Sequence, residues 1–256
     1  MPPQIAIVVP CFNESERFNK YYFQNLVSFK DTSWIFVDDG SNDATYSKIV
    51  ESLGEYNNVY VIQLSTNRGK ANAVAKGMEF VSAELSNSEW VGFLDADGAF
   101  SPIDIFDFIE LTRSSQLRNF ESIYSSRVKL AGREIKRNHT RHLISRIITS
   151  FFSIYWKDIP YDTQSGLKLY RFYPDYKKLF SKNFETRWFF DIELHIRFCD
   201  LFMRPMSVWE QPIKSWIDQK GTKITFTEKI RIFFEIFYIL KLVKKNRSKL
   251  NFTSGD

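Results

Sequence analysis

The sequence predicts an α/β fold in which a Rossmann-like, mostly parallel sheet is flanked by helices. Apolar, β-branched segments alternate four times with segments of helical periodicity, at a spacing of roughly 30 residues. The apolar segments are continuous rather than alternating, as in strands buried on both faces of a parallel sheet. With 256 residues, 44% of them hydrophobic and 25% charged, the chain is long enough for one large globular domain.

The elements are predicted in order along the chain. The four strands are predicted at residues 5–9, 34–37, 59–64 and 90–94. Helices are predicted near residues 18–29, through residues 71–78 and from Pro102, because proline is favoured in the first turn of a helix. A late strand is predicted at residues 209–213. Residues 216–223 are predicted as a loop that covers a bound ligand.

Polar side chains follow each of the four strands. They are Asn13 and Glu14, Asp38 and Asp39, Arg68 and Lys70, and Asp95 and Asp97. In parallel sheets wound with helices, ligands bind at the carboxyl ends of the strands. Four such clusters on one sheet edge therefore indicate a ligand site rather than turn residues alone.

Residues 94–98 (LDADG) place two carboxylates at the end of the fourth predicted strand. In an extended chain, residues i and i+2 point the same way, so Asp95 and Asp97 can converge on one cation. Mg²⁺ and Mn²⁺ prefer carboxylate and phosphate oxygens, which indicates a metal that holds a diphosphate. A plain strand-to-loop turn is the alternative, since Asp and Gly are ordinary turn residues.

Several protein classes are disfavoured. The chain has neither the Gly-x-Gly-x-x-Gly segment of dehydrogenases nor the Gly-x-x-x-x-Gly-Lys-Ser/Thr segment of P-loop NTPases. Two cysteines, Cys11 and Cys199, provide no disulfide framework and favour a reducing compartment. The first residues do not read as a signal peptide, and no run of about 18 apolar residues predicts a membrane-spanning helix. A cytoplasmic location is therefore expected.

The net charge of +5 is unevenly distributed. Residues 127–146 carry +6 and residues 220–250 carry +7, which leaves −8 on the rest of the chain. Basic segments on an acidic body indicate an anionic partner. Both segments carry apolar helical stripes, which favours anionic lipid over nucleic acid and predicts peripheral association with the inner face of a membrane.

The two stripes follow the spacing of amphipathic helices. The first comprises Leu143, Ile144, Ile147, Ile148, Phe151, Phe152 and Tyr155. The second comprises Ile230, Phe233, Phe234, Phe237, Leu240 and Val243, and a basic cluster follows it. Glu235 interrupts the second stripe, so an interfacial helix is favoured over a spanning one. A helix docked on the core and a homo-oligomer contact are the alternatives.

The first half of the chain resembles the nucleotide-sugar domain of glycosyltransferase family 2. The resemblance rests on VVPCFNE (8–14), VDDGSNDAT (37–45), NRGKANAVAKG (67–77) and LDADG (94–98). It implies the GT-A fold, a UDP- or GDP-sugar donor, and Mg²⁺ or Mn²⁺ on the donor diphosphate. By position it implies that Pro10, Glu14 and Asp39 lie near the base and ribose, that Arg68 and Lys70 lie on the donor side, that Asp95 faces ribose and metal, and that Asp97 faces the metal.

The second half narrows the resemblance. The segments SSR (125–127), DTQSGLKLYR (162–171), RWFFDIEL (187–194) and IKSWIDQKGTK (213–223) resemble dolichyl-phosphate β-glucosyltransferases and bacterial polyprenyl-phosphate relatives. The family's N-terminal membrane anchor is missing, and Ser165 stands where eukaryotic members often have Cys. Both differences favour a bacterial, peripherally bound enzyme. The expected organisation is a catalytic domain over residues 1–225, with a nucleotide-sugar half (1–100) and an acceptor half (101–225), followed by a basic amphipathic helix and tail (226–256).

The resemblance implies an inverting transfer of a hexose, glucose from UDP-glucose being favoured, to a polyprenyl or dolichyl phosphate. A phosphate monoester is mostly ionised at neutral pH and needs positioning by cations more than a base. The residues expected at the acceptor phosphate are Arg127, Arg137, Arg141, Gln164 and Lys168. Asp97 is the expected catalytic metal ligand, and Asp162 and Asp191 are the candidate bases for an alcohol acceptor. A family 2 enzyme with a non-lipid glycan acceptor and a non-catalytic sugar-nucleotide binder are the alternatives.

Overall fold

A computed structural model describes residues 4–136, 146, 149–154, 159–217 and 226–247, with side chains from residue 230 onward in the last range. The strands are β1 Ile5–Cys11, β2 Thr32–Asp38, β3 Val59–Gln63, β4 Trp90–Leu94, β5 Ser122–Ser126, β6 Glu134–Lys136, β7 Leu167–Arg171, β8 Val208–Pro212 and β9 Ser215–Ile217. The α-helices are α1 Lys20–Val27, α2 Thr45–Leu53, α3 Lys70–Glu84, α4 Pro102–Glu110, α5 Lys177–Phe180, α6 Phe190–Phe202 and α7 Phe226–Lys245. Short 3₁₀ turns occur at Leu111–Arg113, Ser115–Leu117 and Pro174–Tyr176.

Seven strands form one sheet in the order β3-β2-β1-β4-β7-β5-β8. All neighbours are parallel except β7, which runs antiparallel to β4 and β5. The predicted mostly parallel α/β architecture is therefore confirmed. Because β7 is reversed and Leu167 pairs with Leu94, the loop before β7 lies at the same sheet edge as the loop after β4.

Both faces of the sheet are covered. Val8, Val37 and Phe93 pack with α3 and α6 on one face, whereas Ile7, Trp34 and Leu94 pack with α1 and α4 on the other. Successive strand residues point to opposite faces, so continuous apolar runs are what a doubly covered sheet requires. The burial of both sets confirms the interpretation of these runs as buried strands.

Helix α7 has two different faces. The face toward the protein buries Glu235, Ile239, Val243 and Asn246, and α7 packs against α6. The opposite face leaves Ile230, Phe233, Phe234 and Phe237 exposed. The predicted apolar stripe is thus divided between the core and the surface. Among the described helices, none combines the length and the apolar character that crossing a bilayer requires.

Trp216 departs from the prediction for its segment. It lies in β9, which pairs with β6, and not in a loop. Its ring is buried and packs edge-on against Phe100 with a centroid separation of 4.8 Å, which explains why an apolar residue holds this place. Residues 218–225, the rest of the predicted loop, lie outside the described residues.

The first predicted apolar stripe is described only in part. Phe152 is buried and Phe151 is exposed. The other members lie outside the described residues: Leu143, Ile144, Ile147, Ile148 and Tyr155.

Candidate active site

The loops after β4 and before β7 meet at Asp95. Its backbone N–H donates to the carbonyl of Gly166 at 2.9 Å. A Cβ atom on Gly166 would lie 2.1 Å from Asp95 Oδ2, so only glycine allows this approach. Lys70, the first residue of α3, reaches the same carboxylate with Nζ 2.5 Å from Oδ1. Three segments that are distant in the sequence therefore fix the position of one carboxylate.

Asp97 lies in an acidic and partly buried environment. Burial, and then the charge of Asp95, raises the pKa of Asp97. Burial also raises the pKa of Glu14, with Arg17 opposing the shift and the charges of Asp97 and Asp95 adding to it. Tyr22 lies within the electrostatic reach of the same two aspartates, which together with burial raise its pKa. The ends of β1 and β4 and the inner face of α1 thus meet at one negative cluster.

The residues at this cluster suit a divalent cation. Glu14 Oε2 and the Tyr22 hydroxyl are buried and have no hydrogen-bond partner among the described residues. A cation would relieve the repulsion that raises the Asp97 pKa. No group of three or more ligating side chains is found in the part of the chain that is described. A Mg²⁺ site built from one or two carboxylates and substrate phosphates is therefore the kind that fits.

Asp39 holds the loop that precedes α3. Its carboxylate accepts the backbone N–H groups of Arg68 at 3.0 Å and Gly69 at 2.6 Å. Burial raises the pKa of Asp39 in spite of these donors and of the nearby positive charge of Arg187. Pro10 is half-buried near the carboxyl end of β1, beside Val37. Asp39 and Pro10 thus lie at the carboxyl edge of the sheet, at the ends of the two neighbouring strands β2 and β1.

Arg187 is a cation at this edge to which the sequence analysis assigned no role. Its guanidinium lies against Gly69, where a Cβ atom would be 3.2 Å from Arg187 Nε. Two buried carboxylates hold the segment that carries it. Glu193 accepts the N–H of Thr186 at 3.0 Å, and Glu235 of α7 accepts those of Arg187 at 3.0 Å and Trp188 at 2.9 Å. The Arg-Trp pair just before α6 was the one signal in the sequence that pointed to this segment.

Lys168 and Asp191 form a fully buried ion pair. Lys168 Nζ lies 2.5 Å from Asp191 Oδ1 and 2.6 Å from the carbonyl of Ser165. The Lys168 side chain is 0% exposed, and burial lowers its pKa despite the pairing. Asp191 also acts electrostatically on Lys70, which links this pair to the Lys70–Asp95 pair.

Arg127 and Asp162 form a second pair at the end of β5. Arg127 donates to Asp162 through Nε and Nη2, both at 2.7 Å, and through its backbone N–H at 3.0 Å. The guanidinium also stacks over Trp216, 4.9 Å from the ring centroid. Two backbone N–H groups, of Tyr161 and Asp162, donate to Glu210 of β8. The pair is therefore held rigidly from both sides.

The remaining predicted residues are more dispersed. Gln164 lies between Asp162 and Gly166, and its amide donates to the carbonyl of Trp188 at 3.3 Å. Arg68 is exposed and lines a cavity beside α7. Arg137 and Arg141, both expected at the acceptor phosphate, lie outside the described residues.

Comparison with known proteins gives several matches. The model of the family described as glycosyl transferase family 2 matches residues 6–177. Dolichyl-phosphate β-glucosyltransferase ALG5A of Trichomonas vaginalis is 26% identical over 244 residues, 92% of this chain and 72% of that protein. The dolichyl-phosphate β-glucosyltransferase of Drosophila melanogaster is 30% identical over 240 residues, 87% of this chain and 69% of that protein. Poly-β-1,6-N-acetyl-D-glucosamine synthase of Staphylococcus epidermidis is 27% identical over 176 residues, 61% of this chain and 41% of that protein.

Solved structures share the fold. The mannosyltransferase PcManGT from Pyrobaculum calidifontis, in complex with GDP-Man and Mn²⁺, superposes with a TM-score of 0.61 at 14% identity, covering 97% of this chain and 68% of that one. S. aureus TarS 1-349, in complex with UDP-GlcNAc, superposes with a TM-score of 0.57 at 16% identity, covering 98% of this chain and 68% of that one. At these identities the likeness concerns the fold alone.

Proposed function

The chain belongs to glycosyltransferase family 2 and has the GT-A fold, and from that premise we propose that it transfers a hexose from a nucleotide sugar to a polyprenyl or dolichyl phosphate, with inversion. Glucose from UDP-glucose is the favoured donor, because relatives that match over most of the chain are dolichyl-phosphate β-glucosyltransferases. The observation that carries the proposal is the negative cluster of Asp95, Asp97 and Glu14 at the carboxyl edge of the sheet, next to the cation of Lys70.

On the donor side, the chemistry is the departure of a nucleoside diphosphate. Asp95 and Asp97 would hold Mg²⁺ or Mn²⁺, which when bound supplies positive charge that stabilises the leaving diphosphate. Lys70 adds a fixed positive charge next to Asp95. Arg187 adds another beside Asp39 and Gly69. Asp39, Glu14 and Pro10 bind the base and ribose, and Arg68 lies on the same side.

On the acceptor side, a phosphate monoester is already ionised at neutral pH and requires orientation rather than deprotonation. Arg127 suits this role, because Asp162 and Trp216 hold its guanidinium and leave it part-exposed. Arg137, Arg141 and Gln164 are further phosphate contacts in this proposal. Lys168 is buried, so it acts through Asp191 rather than by touching the lipid. If the acceptor is an alcohol, Asp162 and Asp191 remain the candidate bases, and each would have to leave its cation, Arg127 or Lys168, to take a proton.

Attachment to a membrane surface completes the proposal. The exposed apolar residues of α7 form a stripe that ends in the basic residues Lys244 and Lys245. A helix with an apolar stripe and basic residues lies in the membrane interface, where anionic lipids attract the basic residues. Peripheral attachment at the cytoplasmic face would bring the site to its lipid acceptor.

The proposal is tested by following label from radiolabelled UDP-glucose into the organic phase. Pure protein is incubated with Mn²⁺ and either undecaprenyl or dolichyl phosphate, in parallel with Asp97→Ala and with Asp175→Ala, a control on an exposed carboxylate. We expect labelled lipid with the unaltered chain and the control, and a loss of about 10²–10³-fold with Asp97→Ala. Absence of labelled lipid while UDP-glucose still binds would contradict the acceptor assignment.

A non-lipid glycan acceptor is the second candidate. It is favoured by the match to the Staphylococcus epidermidis poly-β-1,6-N-acetyl-D-glucosamine synthase. In the same assay, sugar transfer to a hydroxyl acceptor that does not change with Arg127→Gln would support it. A protein that binds the donor without turnover on any acceptor would instead be a non-catalytic binder.

A further inference from the structure

A cavity of about 340 Å³ lies beside the loop that precedes α3. The first turn of α3, residues 184–187 and α7 enclose it. Three arginines, Arg68, Arg187 and Arg231, line its wall together with the aromatic side chains of Phe234 and Tyr238. Its volume falls in the range of about 300–1,000 Å³ that small-molecule sites occupy.

The three guanidinium groups form no ion pair with a carboxylate in the part of the chain that the structure describes. Two glutamates also line the cavity. Glu235 already accepts two backbone N–H groups, and Glu185 is exposed, as are the three arginines. Three arginines against two glutamates leave the lining with an excess of one positive charge, and guanidinium binds phosphate in a bidentate manner. The polar side of the cavity is therefore suited to a phosphate group.

The apolar side of the cavity continues onto the protein surface. Phe234 lines the cavity and is 66% exposed. The rings of Phe233 and Phe237 are 57% and 55% exposed, and their centroids lie 4.8 Å apart. A ligand that fits both sides carries a phosphate at one end and a hydrocarbon chain at the other.

We propose that this cavity binds the phosphate headgroup of an anionic membrane phospholipid, while the aromatic face of α7 lies among the acyl chains. This rests on the proposed attachment of α7 to a membrane and adds a defined site to it. Charge favours a headgroup here, because the cavity arginine Arg231 lies on the same helix as the exposed phenylalanines, and the last turn of that helix is basic. Arg68 and Arg187 line this cavity and also border the proposed donor site, so the lipid would hold the membrane surface next to the donor.

The test compares two variants of one helix that each remove one positive charge. Arg231→Gln removes a cavity arginine, and Lys241→Gln removes an exposed cation that does not line the cavity. Binding of the full chain to phosphatidylcholine vesicles with and without phosphatidylglycerol is measured by flotation. We expect Lys241→Gln to weaken binding to the anionic vesicles about fivefold, as for one charge near the surface. Arg231→Gln should weaken it by roughly tenfold to a hundredfold, as for a charged hydrogen bond lost from a site.

If both variants lose the same binding affinity for the anionic vesicles, the proposed site is wrong, and only a diffuse attraction between the basic protein surface and the anionic lipids is left. A further arm uses neutral vesicles that contain polyprenyl phosphate. One outcome is that Arg231→Gln weakens binding more than Lys241→Gln does on the polyprenyl-phosphate vesicles and equally on the phosphatidylglycerol vesicles. In that case the cavity binds the acceptor and the headgroup assignment is wrong. Equal thermal midpoints confirm that both variants are folded. Transfer in detergent by the unaltered chain is measured separately, so a failure of the proposed enzyme activity is distinguishable from a failure of the lipid site.

Discussion

The ammonium group of Lys70 lies 2.5 Å from a carboxylate oxygen of Asp95, one of the two proposed metal ligands. The same ammonium lies over the rings of Phe93 and Phe190, at 5.2 and 5.3 Å from their centroids. Burial acts to lower the pKa of Lys70, but Asp95 and Asp191 outweigh it and raise the pKa above its ordinary value. Lys70 is therefore a cation at neutral pH, and it would compete with the proposed metal for Asp95.

Replacement of Lys70 by glutamine should strengthen Mn²⁺ binding to the protein without donor. The pair is partly exposed, so its removal is worth about 1 kcal/mol and the expected gain is about fivefold. Electron paramagnetic resonance of free Mn²⁺ measures the affinity. Lys76→Gln, on the exposed side of the same helix, is the control and should have no effect. Unchanged or weaker Mn²⁺ binding with Lys70→Gln would show that the lysine does not compete for this carboxylate.

Replacement of Gly166 by alanine should displace Asp95. The added Cβ would meet Oδ2 at 2.1 Å and Cγ at 2.4 Å, so either the carboxylate or the loop must move. A displacement of about 1 Å can cost roughly 10²-fold in rate, which we expect for sugar transfer in a single-turnover assay. Gly132→Ala is the matched control, because its φ of +75° gives backbone strain without any neighbour within 4 Å. Full activity with Gly166→Ala would mean that the position of Asp95 is not critical.

The buried pair of Lys168 and Asp191 should behave non-additively. Lys168→Met leaves a buried carboxylate without its partner, which typically costs 3–5 kcal/mol, roughly, in the free energy of unfolding. The double variant Lys168→Met/Asp191→Leu removes both charges and should recover most of that loss. Urea unfolding measures all of these forms. If the double variant is no more stable than the single one, the charge of Asp191 is not what destabilises it.

His195 should make the fold sensitive to acid. Burial lowers the pKa of His195 to about 3, below its ordinary value of 6.5. Between these values the unfolded chain binds a proton that the folded chain excludes, so stability falls as pH falls, by about 1.4 kcal/mol per pH unit. Urea unfolding at pH 7, 6 and 5 should show a shallower fall from pH 7 to 6, where the unfolded histidine is only partly protonated, and a fall close to this slope from pH 6 to 5; His195→Leu should flatten both. An identical slope in the variant would assign the acid sensitivity to other groups.

Sequence patterns predicted the strands and turns that are determined by residues close together in the sequence. Strand β4, which precedes Asp95, occurs at its predicted bounds, because apolar continuity and the following turn are local properties. The antiparallel direction of β7 was not predicted, since a short apolar strand contains no signal for its direction. The contact between Glu235 and Trp188 spans 47 residues, and only the packing of α7 on α6 brings them together. The position of Arg187 was not predicted for the same reason, because its backbone N–H donates to Glu235, 48 residues further along the chain.

The burial of Glu235, Ile239 and Val243 has a consequence for protein engineering. A chain shortened at residue 225 to obtain a more soluble enzyme would lose part of the core and release the backbone of Arg187 and Trp188. Solubility is better sought by polar replacement of Phe233 and Phe237, whose side chains face outward. The inner face of α7 is therefore part of the folded core, whereas polar replacement on its outer face would also remove the apolar surface that the proposed membrane attachment uses.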